Sequence, residues 1–232
     1  IIGRAHNAGW YTRISFTREF AIGTFEVTNG QWHACIEGGG CDQLDYDTTV
    51  NQHHPVTKVN WHQAKRYAQW LSKKTNYNYR LPSNTEWEYS ARAGRGMNRY
   101  FNIAPKNVCE HGNVYDQTAE TTLAYNLDML PCDDGQAGLA AVGHFKPNAF
   151  GLYDTIGNAF EWIEDCASPG NFDASGLPVN GAAWFEGDCT LRGYRGSSWL
   201  TNEPTYLVES DRFRDLTSGE EDLGFRVVRD IP

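Results

Sequence analysis

The sequence lacks the features that mark several large classes of protein. Its 232 residues include 20 Lys and Arg against 29 Asp and Glu, a formal charge of −9, so no basic excess is available to hold nucleic acid or an anionic membrane. No apolar run approaches the roughly 18 residues needed to span a bilayer. The chain has no G-x-S-x-G, no glycine-rich phosphate loop and no H-E-x-x-H, which excludes the commonest hydrolase, nucleotide-binding and zincin motifs. We therefore expect no nucleic-acid partner and no membrane span within this chain.

The composition indicates a folded chain. Hydrophobic residues make up 40% and aromatic residues 13% of the sequence, which is enough to bury a core. No linker, low-complexity tract or internal repeat marks a boundary, so we predict a single domain over residues 1–232. The sequence begins with Ile1 rather than Met, which favours a processed chain or a fragment from which any signal peptide or anchor has been removed.

The six cysteines point to disulfides. None belongs to a C-x-x-C pair, and the seven histidines supply no spacing typical of a zinc site. Six free thiols in a cytosolic protein are the alternative, but cytosolic proteins rarely use matched cysteines, so we predict an extracytoplasmic protein: periplasmic, at the cell surface or secreted. Sequence alone cannot select the pairing. The simplest one joins neighbours along the chain: Cys35 with Cys41, Cys109 with Cys132, and Cys166 with Cys189.

Three helix starts are clear in the first half of the chain. Each has Thr, Asn or Ser at the N-cap and Gln or Glu three residues later, the spacing of a capping box. The second is followed by apolar residues on one helical face, and the third helix is expected to stop at Gly94. The three pairs are Thr28 with Gln31, Asn60 with Gln63, and Ser83 with Glu86.

After Gly94 the pattern changes to short apolar runs separated by Gly, Asn, Asp and Pro. This pattern predicts short strands joined by long loops. Loops beyond about 15 residues are uncommon in compact domains unless something holds them, and disulfides or bound cations would do so. The predicted strands are residues 141–143, 160–162, 191–192 and 225–228.

Seven phrases, in this order along the chain, carry a resemblance to a known family. Two of them read R-L-P-S-N-T-E-W-E at 80–88 and G-N-A-F-E-W at 157–162. Together they resemble the formylglycine-generating enzyme family, also called the sulfatase-modifying factors, over nearly the whole chain. The resemblance implies an α+β fold, the formylglycine-generating-enzyme-type variant of the C-type lectin fold, with little regular secondary structure. The seven phrases are residues 20–28, 55–61, 79–92, 147–154, 157–162, 195–199 and 224–226.

The enzyme that names this family oxidises a sulfatase cysteine to formylglycine, using copper held by two cysteines shortly after an R-G-G-S phrase. The residues that match those two cysteines are Thr201 and Tyr206, and no cysteine lies beyond Cys189. Copper(I) requires soft thiolate ligands, which neither a hydroxyl nor a neutral phenol replaces. We therefore expect no copper and no formylglycine formation.

The resemblance also implies one or two bound calcium ions. Ca²⁺ takes hard oxygen ligands from alternating positions of glycine-containing loops, and two loops here are similar to the family's calcium loops. The alternative is that the same acids cap turns without an ion, since Asx-turns use the same residues. The first predicted site is Asp154, Gly157, Ala159 and Glu161, and the second, a looser match, is Asn113, Val114, Asp134 and Gln136.

The stretch 200–222 is the expected partner-binding face. In the family this region lines the substrate groove, and in lectin-like relatives it forms a variable binding face. It contains aromatic and arginine side chains, the types that dominate interface hot spots. The predicted contact residues are Thr201, Tyr206, Arg212, Phe213 and Arg214.

These features are compatible with three functions. The first is a non-catalytic, calcium-stabilised family member that acts as an extracytoplasmic accessory, structural or protein-binding subunit, in contact with a protein partner or a larger complex. The second is an enzyme or maturation factor with different oxidative chemistry on the same scaffold. The third is a lectin-like protein that reads different ligands by varying the face between residues 199 and 224.

Overall fold

The computed structural model describes residues 2–4, 11–94, 103–167, 178–203 and 212–232, with side chains from Ile14 onward. Within these residues the chain forms four α-helices, one 3₁₀-helix and nine short strands, and much of it is loop. No helix in the described ranges is both long and apolar enough to cross a membrane.

The first three helices begin where the capping boxes predict. They are α1 (Asn29–Glu37), α2 (Trp61–Thr75) and α3 (Asn84–Arg92), and in each the N-cap side chain and the side chain three residues later exchange bonds with the backbone. The third helix ends slightly earlier than expected, because Ala93 rather than Gly94 takes the left-handed C-cap, with φ of 47°.

Two helical segments lie beyond the predicted helices. The 3₁₀-helix Pro105–Glu110 opens with proline at its first turn, and α4 (Gln117–Leu123) follows it closely. Asp116 is the N-cap of α4, and its Oδ1 accepts a bond of 3.1 Å from the Ala119 N–H. Since this segment has no Gln or Glu at the capping-box position, its sequence pattern did not predict a helix.

The strands form three small sheets. The four-stranded sheet has the order β7–β6–β5–β8, in which β5 pairs antiparallel with β6 and parallel with β8. A three-stranded sheet has the order β3–β9–β4, and β1 pairs with β2. The strands are β1 (Ile2–Arg4), β2 (Tyr11–Arg13), β3 (Phe20–Ile22), β4 (Tyr79–Arg80), β5 (Phe160–Ala167), β6 (Asp188–Arg195), β7 (Arg212–Asp215), β8 (Leu223–Gly224) and β9 (Val228–Asp230).

One predicted strand, residues 141–143, is wrong. This segment forms a turn in which the Val142 N–H donates to the His53 carbonyl at 2.9 Å. The Gly143 N–H donates to Asp154 Oδ2 at 2.7 Å. Its backbone N–H groups therefore anchor a loop instead of forming the hydrogen bonds of a β-sheet. Residues 160–162 and 191–192 do lie in β5 and β6, whereas 225–228 reaches a strand only at Val228.

The main core lies between α2 and the four-stranded sheet. Two tryptophan N–H groups bond across it: Trp61 Nε1 to the Ile163 carbonyl and Trp162 Nε1 to the Val59 carbonyl, both at 2.9 Å. Buried indoles require such partners, and these two tie α2 and its preceding loop to β5. The packing therefore fixes the start of β5, which carries the predicted calcium ligand Glu161.

Three disulfides confirm the simplest predicted pairing, Cys35 with Cys41, Cys109 with Cys132, and Cys166 with Cys189. All six cysteines of the chain lie in the described ranges, and none is free. Two of the bridges have a sequence separation of 23 residues, and both lie in the loop-rich second half. This use of cysteine is consistent with an extracytoplasmic or secreted protein.

Candidate functional site

Strand β5 begins with a buried ion pair. The side chains of Glu161 and Arg226 are both 0% exposed, and two bonds of 2.6 Å join the guanidinium to the carboxylate. The Trp87 Nε1–H donates a further bond of 2.6 Å to Glu161 Oε2. A buried carboxylate needs this compensation because moving an unpaired charge out of water is strongly unfavourable.

Asp154 adds a second carboxylate beside this pair. Its backbone is left-handed, with φ of 57°, and its Oδ2 accepts the bond from Gly143. The other oxygen, Oδ1, is buried and has no hydrogen-bond partner in the described part of the chain. Burial raises the pKa of Asp154 to about 6, and the charge of Glu161 adds to the rise. A buried oxygen left without a donor calls for a cation or a water.

Glu26 is a third carboxylate of this cluster, and sequence reasoning missed it. It is 1% exposed, its Oε1 accepts from the Ala159 N–H and its Oε2 from the Asn158 amide, both at 3.2 Å. Burial, followed by repulsion from Asp154 and Glu161, raises its pKa well above the usual range. The available signal was an acid between two apolar residues, inside the phrase 20–28 that carries the family resemblance.

The residues predicted for the second calcium site also lie together. Asp134 accepts bonds from the N–H groups of Val114 at 2.9 Å and Gln136 at 2.8 Å, so the two predicted segments meet at its carboxylate. Asn113 is fully buried, and its Oδ1 has no partner within the described ranges. Burial raises the pKa of Asp134 to about 7, with a contribution from the charge of Asp116.

Asp116 is a further member of this site that the sequence analysis did not include. It is fully buried, and its Oδ2 accepts a bond from the Asp134 N–H. Cys109 also lies within 4.8 Å of both acids, but its sulfur is bonded to Cys132 and offers no thiolate. The remaining candidate metal ligands are oxygen atoms, which a hard cation such as Ca²⁺ prefers. The sequence feature that could have indicated Asp116 is an acidic residue three positions after the predicted ligand Asn113.

The two candidate calcium sites share a contact. The Asn158 N–H donates to the Asn113 carbonyl at 2.8 Å, and the Asn113 amide donates to Asn158 Oδ1 at 3.1 Å. Gly157, which precedes Asn158 in the chain, has φ of 69°, and a Cβ placed on it would lie 1.8 Å from the Asn113 carbonyl oxygen. Only glycine fits there, so this residue sets how closely the two loops approach.

Calcium fits the chemistry of the first cluster. Three carboxylates, from Glu26, Asp154 and Glu161, face one guanidinium, from Arg226, which leaves an excess of buried negative charge when all are ionised. Burial, and then repulsion between the carboxylates, raises the pKa of both Glu26 and Asp154. A divalent cation held by these oxygens would balance it, because Ca²⁺ takes carboxylate and carbonyl ligands.

The residue that the resemblance matches to the first copper cysteine, Thr201, closes a turn. Thr201 is 5% exposed, and its Oγ1 accepts a bond of 3.0 Å from the Ser198 N–H. Its N–H donates to the Ser198 carbonyl at 2.9 Å, and its carbonyl accepts from Tyr115 at 3.0 Å. Tyr206, the second position, lies outside the described residues. The Thr201 hydroxyl therefore serves the local backbone.

An open groove of about 540 Å³ lies beside this turn. It is lined by Trp199 and Glu221, and on the other side by Tyr46, Asn51 and His54 from the loop between α1 and α2. Trp199 is 7% exposed, and its Nε1–H is buried without a partner in the described part of the chain. The predicted partner-binding face spans 200–222, and of that stretch Glu221 lines this groove, whereas most of the lining comes from the loop between α1 and α2, which the sequence did not indicate.

The remaining predicted contact residues, Arg212, Phe213 and Arg214, lie on β7. This strand pairs only with β6 in the described sheet and forms its edge. The Arg212 guanidinium is 4.9 Å from the ring centroid of Phe160. The structure therefore places the predicted partner residues on two elements, the turn at Thr201 and the sheet edge at β7.

Comparison with known proteins adds the family. The family model described as the sulfatase-modifying factor enzyme 1-like domain matches residues 5–231. The formylglycine-generating enzyme of Streptomyces coelicolor is 32% identical over 200 residues, covering 79% of this chain and 55% of that protein. The murine protein named inactive C-alpha-formylglycine-generating enzyme 2 is 33% identical over 181 residues, covering 73% of this chain and 52% of that protein. The chain thus spans about half the length of these two relatives.

A solved structure agrees with the sequence match. The structure of PvdO from Pseudomonas aeruginosa superposes with a TM-score of 0.73 at 30% identity, covering 94% of this chain and 83% of that one. The fold is therefore the formylglycine-generating-enzyme-type variant of the C-type lectin fold. On the family match over residues 5–231, the chain belongs to the sulfatase-modifying factor family, also called the formylglycine-generating enzyme family.

Proposed function

We propose that this chain is a non-catalytic, calcium-stabilised member of its family that acts as an extracytoplasmic accessory, structural or protein-binding subunit. One observation carries the proposal: all six cysteines are paired in disulfides, so the chain has no thiolate with which to hold copper. The hydrogen-bonded turn at Thr201 supports it, because the side chain at that position already has a structural role.

Calcium would be the resident ion at one or both clusters. Asp154 and Glu26 would hold it at the first, with the carbonyls of Gly157 and Ala159, while Glu161 stays paired with Arg226 or shares an oxygen. Asn113 and Asp134 would hold the second ion, with the Val114 and Gln136 carbonyls and Asp116 nearby. The ion would supply the positive charge that these buried carboxylates lack, and so stabilise the loops after α4. The two buried side-chain oxygens without partners, on Asp154 and Asn113, support this role.

A protein partner would contact the face formed by the Trp199 groove and the edge strand β7. The groove offers an indole N–H without a partner in the described ranges, and the strand offers Arg212 and Arg214. Tryptophan and arginine are the residue types most often found at interface hot spots. The murine relative named as inactive is compatible with a binding role for family members without the oxidase activity.

The partner role is tested by affinity capture from an extract of the source organism, with quantitative mass spectrometry. The double variant Tyr206→Ala, Arg212→Ala should lose a specific protein that the wild-type chain retains. The double variant Arg66→Ala, Lys73→Ala, which changes exposed cations on α2, should retain it. If the Tyr206→Ala, Arg212→Ala variant captures the same proteins as the wild type, the proposed face is wrong.

The alternative is an enzyme with different oxidative chemistry on the same scaffold, and it predicts different measurements. A purified chain that binds copper or iron in stoichiometric amount, or that consumes O₂ with a thiol peptide, would replace the present proposal. Metal content by mass spectrometry and O₂ uptake separate the two functions directly.

A further inference from the structure

The stretch that follows α4 exposes a group of apolar side chains. Tyr125, Leu127 and Met129 are 47%, 44% and 47% exposed. Of the ten large hydrophobic side chains that are exposed in the described ranges, these three lie within five positions, which we call the apolar segment, residues 125–129. Single exposed apolar residues are common, whereas a local group of them is typical of a surface that another molecule covers.

The apolar segment is anchored at both ends. At its start the Ala124 N–H donates to the Glu120 carbonyl at 2.8 Å, and the Tyr125 ring stacks on that of Tyr115 with 6.2 Å between the centroids. Beyond its end Leu130 is buried, and its N–H donates to the Tyr115 carbonyl at 3.0 Å. A segment held in this way loses less conformational entropy on binding than a free one, which favours affinity.

The backbone between these anchors is available for hydrogen bonding. Residues 127–129 lie in no helix or strand, and within the described part of the chain their N–H and C=O groups form no backbone–backbone hydrogen bond. Exposed backbone groups of this kind can pair with an extended segment of another chain. The apolar segment therefore offers both apolar side chains and backbone bonding groups.

The surrounding sequence is acidic. Residues 107–145 contain six Asp and Glu and no Lys or Arg. Glu110 is paired with Lys146 at 2.6 Å, and two others belong to the second candidate calcium site, where a bound ion would balance them. Three acids of this stretch are left to consider.

These three acids leave a negative excess around the apolar segment. Asp128 lies within the segment and is exposed. Glu120 accepts from the Tyr115 hydroxyl and Asp133 from a threonine hydroxyl, which are neutral donors, and none of the three acids forms a salt bridge with a described residue. Lys106 is the nearest Lys or Arg before this stretch in the sequence, and if its charge is set against the three, two negative charges remain.

The apolar segment is connected to the turn at Thr201. Tyr115 lies between them: its N–H donates to the Thr201 carbonyl at 3.0 Å, and its carbonyl accepts the bond from Leu130. The exposed apolar group therefore extends the proposed partner-binding face from Thr201 toward α4.

We propose that the apolar segment binds an extended segment of the protein partner in which Lys or Arg alternates with apolar residues. The inference rests on the proposed binding function and names the chemistry of the partner. The apolar side chains of the partner would cover Leu127 and Met129, and its cations would lie near Asp128 and Glu120. Its backbone would bond to residues 127–129.

The charge of the surface disfavours other occupants. Nucleic acid and anionic lipid are themselves negative, so this acidic surface would repel them. A second copy of this chain has a formal charge of −9, which opposes self-association through the same surface. A basic segment with apolar residues matches both properties of the site.

The test measures fluorescence anisotropy of a labelled octapeptide of alternating Lys and Leu, with the whole chain in calcium, at low salt and at about pH 8, where histidine is neutral. A peptide of alternating Asp and Leu reverses the charge, and one of alternating Lys and Ser removes the apolar groups. Both should bind at least about tenfold more weakly, because one is repelled and the other buries little apolar surface.

Two variants of the chain separate the two contributions. Leu127→Ser, Met129→Ser should weaken binding of the Lys–Leu peptide at least about tenfold, since it removes most of the exposed apolar surface. Its matched control is Val179→Ser, Phe185→Ser, which changes side chains that are 54% and 56% exposed outside the segment and should bind like the wild type.

The charge variant is Asp128→Asn. It should weaken binding about two- to fivefold, the range for one exposed ion pair, and should reduce the dependence of binding on salt. Its control, Glu186→Gln, also removes one exposed acid and should leave binding unchanged. Thermal unfolding checks that the variants are folded, and if the serine double variant is not, Asp128→Asn and the peptide series decide the result.

Four outcomes would overturn the proposal. The first is a wild-type chain that does not bind the Lys–Leu peptide, and the second is equal affinity for the Asp–Leu peptide. The third is a control variant that loses as much affinity as its matched variant. The fourth is a wild-type dimer in sedimentation velocity that Leu127→Ser, Met129→Ser abolishes, which would assign the surface to a second copy.

This result can be separated from failure of the proposed function. If capture experiments identify a partner that depends on Tyr206 and Arg212 but the Lys–Leu peptide does not bind, the function stands and the basic chemistry is wrong. If the peptide binds through Leu127 and Met129 but no captured partner depends on the face, the proposed function fails while the apolar segment remains a peptide-binding surface.

Discussion

Three buried carboxylates around a single guanidinium determine the chemistry of the first candidate site. Glu161 is compensated by Arg226 and Trp87, whereas Glu26 and Asp154 carry raised pKa values because burial penalises their charged forms. Without an ion they are driven toward the protonated state. Bound Ca²⁺ would stabilise the same oxygens as carboxylates, so the proposed site would couple protonation, calcium binding and folding.

The substitution Glu26→Gln tests whether this residue is a calcium ligand. Glutamine copies the protonated form that the ion-free protein favours, so the melting temperature in EDTA should change little. The rise produced by calcium should shrink, since each tenfold loss of affinity removes about 1.4 kcal/mol. The measurement is thermal unfolding followed by circular dichroism, with and without calcium. The exposed-acid variant Asp47→Asn is the control, and an unchanged calcium response in Glu26→Gln would exclude Glu26 as a ligand.

The same cluster shows which site residues sequence reasoning could reach. Asp154 and Glu161 lie seven positions apart in a loop that is similar to one of the family's calcium loops, so the resemblance implied a cation site there. Glu26 bonds to Asn158 across 132 sequence positions, and its approach depends on how the first strands pack. No local sequence pattern indicates that two residues so far apart in the chain come into contact. Asp116 was missed for a similar reason: no capping box marks it as an N-cap, and it meets the Asp134 N–H across 18 sequence positions.

At the scale of secondary structure, the sequence predicted the elements whose hydrogen bonds join residues close together in the chain. The capping boxes of α1, α2 and α3 join residues three apart, and all three are present. Segment 141–143 has strand-like residues, but its N–H groups bond to distant loop and side-chain acceptors, so it forms a turn. Tertiary bonding overrides propensity in such short segments.

The disulfide between Cys109 and Cys132 is expected to hold the second candidate site together. It closes the segment that carries Asn113, and Asp134 lies two residues beyond Cys132. Replacing both cysteines by serine should lower the free energy of unfolding by about 3 kcal/mol and weaken calcium binding at this site. Unfolding in urea and calorimetric calcium titration measure the two effects.

Replacing Cys35 and Cys41 by serine is the matched control for the disulfide. That bridge closes a loop with a sequence separation of 6, away from the calcium loops, so its loss should cost about 2 kcal/mol and leave calcium affinity unchanged. Equal loss of calcium affinity in both variants would show that the Cys109–Cys132 bridge has no special role in the site.

The buried carboxylate of Asp165, on β5, is expected to make the stability of the fold depend on pH. It lies where β5 meets the start of α3 and the segment before β6. Its oxygens accept from Asn84 N–H at the start of α3 and from Trp184 N–H before β6, at 2.7 and 2.9 Å. Burial raises its pKa from 3.8 to about 7, so the folded chain takes up a proton and stability should fall as pH rises through that interval. The slope is at most about 1.4 kcal/mol per pH unit.

Urea unfolding at several pH values, in saturating calcium, isolates this effect, because the bound ion keeps the calcium ligands ionised. Asp165→Asn should flatten the decline between pH 5 and pH 7, whatever its effect on absolute stability. A variant whose stability falls with pH as steeply as that of the wild type would contradict the assignment to Asp165.

At the scale of the whole molecule, the chain has the scaffold of its family, and we propose that the copper site is not kept. The match over residues 5–231 and the fold shared with PvdO show that the scaffold is kept. The cysteines are committed to disulfides, and the formal charge of −9 includes the carboxylates of both candidate calcium sites. Two bound calcium ions would bring that charge to −9 + 4 = −5.

The most direct test of the account is a parallel titration of the EDTA-treated chain with Ca²⁺ and, under anaerobic conditions, with Cu(I), followed by thermal unfolding. A ligand at a hundred times its Kd adds about 2.7 kcal/mol. For a chain of this size, that is a rise of roughly 5–10 °C in Tm. The account predicts such a rise with Ca²⁺ and no stoichiometric binding of Cu(I). A Tm unaffected by EDTA and Ca²⁺, or a stoichiometric Cu(I) complex, would contradict it.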